Sequence, residues 1–169
     1  MSELEIRTER AAEVAAIGSL TIRAFKDMPY AGGDEQDVIV RLREVGALSV
    51  SLVAVLNDEI VGHIAFSPAE IEDASGPWFA LGPVSVLPDY QRSGIGSALI
   101  NEGLELIAER GALGCILTGN PDYYQRFGFA LAPEHVPSGE PPEYFMLKRF
   151  AGSQPGGHFV FHPAFYGEV

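Results

Sequence analysis

Trp78-Phe79-Ala80-Leu81-Gly82-Pro83-Val84-Ser85-Val86-Leu87, followed shortly by Gln91-Arg92-Ser93-Gly94-Ile95-Gly96-Ser97-Ala98, is the stretch that decides how this 169-residue chain is read. Its first ten residues are β-prone enough for a buried strand, yet Gly82 and Pro83 stand in the middle. Proline donates no ladder hydrogen bond and glycine weakens pairing, so a central strand must bulge, splay or lie at an edge there. The second stretch leads into a helix expected over Ser97 to Arg110, where Leu99, Ile100, Gly103, Leu104 and Ile107 recur at helical spacing. A glycine-rich strand-to-helix junction presents unpaired N–H groups and the positive end of the helix dipole, and Arg92 adds a full charge. Such a junction is an anion site, and a diphosphate suits it.

Outward from this point the other elements fall into place. Leu4, Ile6 and Thr8 alternate with charged residues as a half-wet strand. Ala11 to Phe25 carries Val14, Ile17, Leu20, Ile22 and Phe25 at helical spacing, and Asp34 opens a second helix with Val38, Leu42 and Val45 on one face before Gly46 stops it. Leu48 to Ser67 holds two β-rich runs around Asn57-Asp58, which is a hairpin signal. After the glycine-rich junction and its helix come a strand over Ala112 to Thr118, a short helix over Pro121 to Arg126, and strands at Phe129 to Leu131 and Tyr144 to Phe150. The order β α α β β β α β α β β describes an α+β fold with a mixed sheet rather than a doubly wound one. We expect one domain over 1–150 and an aromatic extension over 151–169, where His158-Phe159-Val160-Phe161-His162 suggests a last strand.

Composition narrows the function. Eleven basic residues against twenty-three acidic ones give a formal charge of −12, which leaves no chain-wide positive field for nucleic acid or anionic lipid. The longest apolar stretch, Leu48 to Leu56, is far shorter than the roughly 20 residues needed to span a bilayer. A single cysteine, Cys115, and an acidic N-terminus point to a reducing cytoplasmic setting, and Cys115 is expected in the core. His158 and His162 lack a third ligand, so no metal is expected.

Three readings of the junction compete. Gly94 and Gly96 serve as a plain tight turn in one. A dinucleotide fold is disfavoured because residue 99 is Leu where a third glycine would stand, and a P-loop is excluded because no Gly-Lys-Ser/Thr follows. In the third, Gln91-Arg92-x-Gly94-x-Gly96-x-Ala98, preceded by Val84-Ser85-Val86-x-Pro88, resembles motif A of the GNAT superfamily of acyl-CoA-dependent N-acyltransferases. Tyr124-Gln125-Arg126-Phe127-Gly128-Phe129 is similar to a second segment of that family, and the element order matches its fold. The hairpin and aromatic tail also resemble a poorly characterised bacterial subgroup of predicted acetyltransferases.

The resemblance implies that acetyl-CoA is the cosubstrate, its pantetheine arm lying between two splayed parallel strands against the backbone of Val84, Ser85 and Val86. It implies further that Gln91, Arg92, Ser93, Gly94, Ile95, Gly96 and Ser97 hold the diphosphate, that Asn120 bonds the pantetheine, and that Tyr124 protonates the leaving thiolate. Asn120-Pro121 is equally well explained as a turn before a helix. The acceptor would be a primary amine of a small molecule or peptide, attacking directly in a ternary complex. Its base is open: His63 is a candidate, with Glu70 and Glu72 behind it, although a lone strand histidine is more often structural. Tyr123 is expected to pack or lie at the surface. The acceptor pocket would draw on Lys26 to Asp34, on His63 to Ser67 and on the C-terminal strands, with Phe25, Tyr30 and Trp78 as lining candidates. A catalytically silent acyl-CoA-binding or protein-interaction module of the same fold is the alternative, and in a homodimer the aromatic tail would pair with a second subunit.

Overall fold

The computed structural model describes residues 3–26, 28, 32–72, 74 and 76–167. Among them seven strands form one sheet in the order β1-β2-β3-β4-β5-β7-β6. These are β1 (Glu5–Thr8), β2 (Val50–Leu56), β3 (Glu59–Ala69), β4 (Trp78–Val86), β5 (Gly114–Thr118), β6 (Ala130–Leu131) and β7 (Phe145–Arg149). Neighbours pair antiparallel except β4 and β5, which run parallel. Four helices accompany them: α1 (Val14–Phe25), α2 (Glu35–Glu44), α3 (Ile95–Glu109) and α4 (Pro121–Tyr124). This is the mixed α/β architecture expected of the sequence.

The hairpin turns on Asn57 and Asp58, both with positive φ (53° and 62°), the conformation a two-residue turn between twisted strands requires. On one face of the sheet α3 packs Leu99, Ile100 and Ile107 against Leu52, Ile64 and Phe66. Gly103 makes that approach possible: a Cβ there would lie 2.2 Å from the Phe66 ring. The opposite face carries α1 and α2, with Ile17 and Ile39 against Val53. Farther along that face Trp78, Ala80, Ile116 and Phe145 pack with Phe159 and Phe161 from the C-terminal tail.

The middle of β4 behaves as its glycine and proline dictate. Ile64 opposes Val84 and Phe66 opposes Leu81, so Gly82 and Pro83 together face the single residue Ala65 across a bulge. Gly82 takes φ 135°, open to glycine, and the Gly82–Pro83 peptide is cis. On its other side β4 pairs with β5 only through Trp78–Gly114, Phe79–Cys115 and Ala80–Ile116. Beyond these, β4 stays with β3 as far as Val86–Gly62, while β5 stays with β7 as far as Thr118–Phe145. The two parallel strands part, leaving the backbone of Val84–Val86 with a strand neighbour on one side alone.

Several local expectations need correcting. α3 begins at Ile95, two residues before the expected Ser97, because Gly94 in the left-handed region (φ 89°) caps it. The Phe159–Val160–Phe161 segment alternates as a strand would, with Val160 outward, yet only Val160 bridges, exchanging both backbone bonds with Glu70 before Pro163 starts a 3-10 turn. In α1 the buried line is Ile17, Leu20, Thr21 and Ala24, and Val14 and Ile22 face outward. In α2 Ile39 replaces Val45 on the buried face. No helix among the described residues is long and apolar enough to cross a membrane.

Candidate active site

Beside the parted end of β4 lies a cleft of about 630 Å³. Val84, Ser85 and Val86 form its β4 wall, and Gln91, Arg92, Gly94, Gly96 and Ser97 form its floor at the start of α3. Ala24, Phe25 and Met28 close it from the end of α1, and Tyr90, Tyr123 and Arg126 complete the rim. Most of the residues singled out for cofactor binding are therefore brought together.

The floor is built to offer donors. α3's first internal bond runs from Ala98 N–H to Gly94 O (3.0 Å), so the amides of Ile95, Gly96 and Ser97 have no acceptor within the helix. Arg92 has φ 64° and Gly94 φ 89°, and these two left-handed residues turn successive amides toward one side, a form of anion nest. Gln91 donates from Nε2 to Val86 O (3.0 Å), tying the loop to the free end of β4. The Ser93 hydroxyl donates to Tyr90 O, and the Ile95 side chain is buried in the core, so these two contribute to the loop through shape and backbone.

Asn120 does not line the cleft. Its Oδ1 accepts from Asp122 N–H at 3.0 Å and caps α4, which is the turn-before-helix alternative. Tyr124 follows on α4, its ring 6.1 Å from Phe129 and edge-on to Tyr123 at 5.0 Å. Burial, reinforced by Tyr123 and Cys115, pushes its phenol well above the usual range, so it is fully protonated at neutral pH. Sequence reasoning set Tyr123 aside, yet its hydroxyl is the nearest group to a Cβ built on Gly96, at 3.2 Å, and Arg126 lies 4.7 Å over its ring. Tyr123 and Arg126 are three apart, which places them on one side of a helical turn. That spacing was the available signal, and it brings a second cation beside Arg92 on the cleft.

His63 sits on β3 directly across from Ser85 of the cleft's β4 wall, but does not itself line the cleft. It has no exposed surface, and its Nε2 is 2.8 Å from Ser51 Oγ. The Ser51 hydroxyl donates to Glu9 Oε1, and Glu9 in turn receives Arg43 Nη2 (2.8 Å) and Nε (3.2 Å). A hydroxyl has one proton and Ser51 spends it on the carboxylate, so His63 must donate from Nε2, leaving the Nδ1 lone pair buried without a partner. Burial, aided by Arg43 and only partly offset by Glu9, lowers the imidazole to about 4. Burial opposes ionisation of Glu9 too, but Arg43 and Ser51 outweigh it and hold the carboxyl below its usual range.

The other candidates are scattered. Glu70 and Glu72 line a separate groove at the opposite end of β3, with Trp78, whose ring is buried against Phe159 at 4.8 Å. Phe25 is on the cleft, and Tyr30 lies outside the described residues. Cys115 is fully buried and its thiol is pushed up by that burial. His158 Nδ1 meets Val136 O at 2.5 Å, and His162 Nδ1 accepts from Ala164 N–H at 3.0 Å.

Comparison with known proteins agrees with this geometry. The model of the acetyltransferase (GNAT) family matches residues 19–129. The uncharacterized N-acetyltransferase YhbS of Escherichia coli (strain K12) is 32% identical over 131 residues, 77% of this chain and 75% of YhbS. Among solved structures, a GNAT family acetyltransferase from Brucella melitensis in complex with acetyl-CoA is 41% identical, with TM-score 0.85 over 96% of this chain and 98% of that one. The E. coli YhbS structure in complex with CoA is 28% identical in the superposition, with TM-score 0.87 over 98% of this chain and 93% of its own. A strand broken at Gly82-Pro83, a donor-lined turn at the head of α3 and these matches lead to one assignment: the chain belongs to the GNAT family of acetyltransferases.

Proposed function

We propose that this protein transfers an acetyl group from acetyl-CoA to a primary amine by direct attack in a ternary complex. The observation that carries the reading is the parting of β4 and β5 after Ala80 and Ile116, with the freed end of β4 sharing one cleft with the donor-rich turn at the start of α3. The unpaired edge of Val84–Val86 can pair with an amide-containing arm as it would with another strand. The amides from Arg92 to Ser97, with Arg92 and Arg126, suit a diphosphate. The relatives from Brucella melitensis and E. coli, crystallised with acetyl-CoA and CoA, support the choice of ligand.

In the transfer, the neutral amine forms a C–N bond at the thioester carbonyl, and a backbone N–H near Val84–Val86 steadies the oxyanion. The C–S bond then breaks and Tyr124, protonated at neutral pH, gives its proton to the sulfur and regains one from the amine through water in the cleft. His63, sealed beneath α1 and weakly basic, serves the fold's interior, and the amine's proton leaves through water in the cleft. Asn120 acts on the reaction only by starting α4 and so placing Tyr124.

Calorimetric titration with acetyl-CoA tests the donor reading. Gly94→Glu puts a negative side chain on a left-handed residue at the floor, and affinity should fall by at least about tenfold, or about 1.4 kcal/mol. Equal affinity of the wild type and this variant would overturn the assignment of the α3 turn.

A further inference from the structure

α3 and the floor occupy one side of the split, so an acceptor reaches the thioester from the other side. On that side each lip presents one polar residue. Val84 and Val86 pack with the α3 cluster, which turns Ser85 the opposite way, and Leu117 does the same for Thr118 on β5. Thr118 stands two residues past Ile116, the last β5 residue paired with β4. Ser85 Oγ is buried with no hydrogen-bond partner, so the β4 lip holds unused polar capacity on the face where Thr118 lies.

The Thr118 hydroxyl donates to Glu140 Oε1 (3.0 Å), and the Tyr166 hydroxyl donates to Oε2 (2.7 Å). Glu140 is further fixed by its own N–H, bonded to Pro137 O at 3.1 Å. The segment bearing Tyr166 is anchored to α2 through Arg41 Nε and Ala164 O (2.8 Å). Among the described residues no lysine, arginine or histidine forms an ion pair with Glu140. Three elements thus converge to orient a carboxylate at the lip of the split, satisfied by two neutral hydroxyls and with lone pairs to spare.

We propose that Glu140 is the acceptor-recognition residue, and that it binds a positively charged nitrogen of the acceptor other than the one that attacks. A carboxylate against the reacting ammonium would raise its pKa and hold the proton that must leave. Against a second, non-reacting cation it contributes binding without that penalty. The acceptor class is therefore a diamine, or an amine bearing another cation a few bonds away. The inference rests on the split being the site of acetyl transfer.

The test measures CoA release with 1,3- to 1,6-diaminoalkanes and with the monoamines of matching length. The wild type should favour the best diamine by about tenfold or more in kcat/KM, equivalent to about 1.4 kcal/mol. Glu140→Gln should shrink that preference to about threefold or less, mainly through KM, with acetyl-CoA affinity unchanged by calorimetry. Thr118→Val should move the preference the same way by a smaller amount. A wild type that does not prefer diamines, one that acetylates none of them, or a preference that survives in Glu140→Gln overturns the proposal. Loss of acetyl-CoA binding by the wild type would instead bring down the donor reading, and this inference with it.

Discussion

Replacing His63 with glutamine should separate the buried imidazole's part in stability from every other titrating group. In the folded protein the imidazole is lowered to about 4 from 6.5, chiefly by burial, with Arg43 and Glu9 the charged groups that bear on it. A depressed basic group destabilises the fold as pH falls: below 6.5 the unfolded chain takes up a proton that the folded chain refuses. The loss grows between pH 6.5 and 4 and then levels off. At pH 4.5 those two values amount to about 2–3 kcal/mol relative to pH 7.5. In urea this corresponds to a midpoint lower by roughly 1 M, for a slope of 1–3 kcal/mol/M. Glutamine keeps an N–H donor for Ser51 and does not titrate. Unfolding can be followed through Trp78, the single tryptophan and a buried one. The wild type should lose about 2–3 kcal/mol more than His63→Gln between pH 7.5 and 4.5, while carboxylates remote from His63 affect both proteins alike. Equal losses, to within about 0.5 kcal/mol, would show that burial does not hold the imidazole neutral, and the tautomer derived from Ser51 and Glu9 would fall with it.

Two other substitutions probe the cleft and the core. Tyr124→Phe should lower kcat on the order of 10²-fold in the CoA-release assay and leave acetyl-CoA affinity unchanged; turnover as fast as the wild type would remove Tyr124 as the acid. Gly103→Ala drives a methyl to 2.2 Å from the Phe66 ring and should cost about 1–3 kcal/mol, lowering the melting temperature by roughly 2–4 °C per kcal/mol. An unshifted melting curve would mean that α3 does not pack on Phe66 at that distance.

Much of the fold was legible because single residue types force local outcomes. Pro83 has no N–H to give, Gly82 tolerates the bulge, and Asn57-Asp58 accepts positive φ, so the break in β4 and the hairpin follow from chemistry within a few residues. The segments around Gly94 and Tyr124 were legible through their resemblance to the family's motifs. What escaped was set by contacts between distant residues. Nothing local joins Glu9 to Arg43, Ser51 and His63, and only their convergence fixes the imidazole's tautomer and engages it in the interior. Tyr123 and Tyr124 are adjacent and alike, and the packing of α4 alone decides which one reaches over Gly96. In the tail, alternation signalled a strand, but only Val160 bridges, to Glu70, before Pro163 starts a 3-10 turn.

The closed end of the β4–β5 pair works as a fulcrum for the open one. At Gly114 a Cβ would fall 2.4 Å from both the Trp78 ring and Lys148 O, so three strands are clamped there with no slack. The opening angle at Val84 and Thr118 is geared to that clamp, as the spread of a pair of tongs is geared to its rivet. A methyl group added at Gly114, at the pivot itself and away from the reacting atoms, would change the gape of the jaws without touching anything held in them.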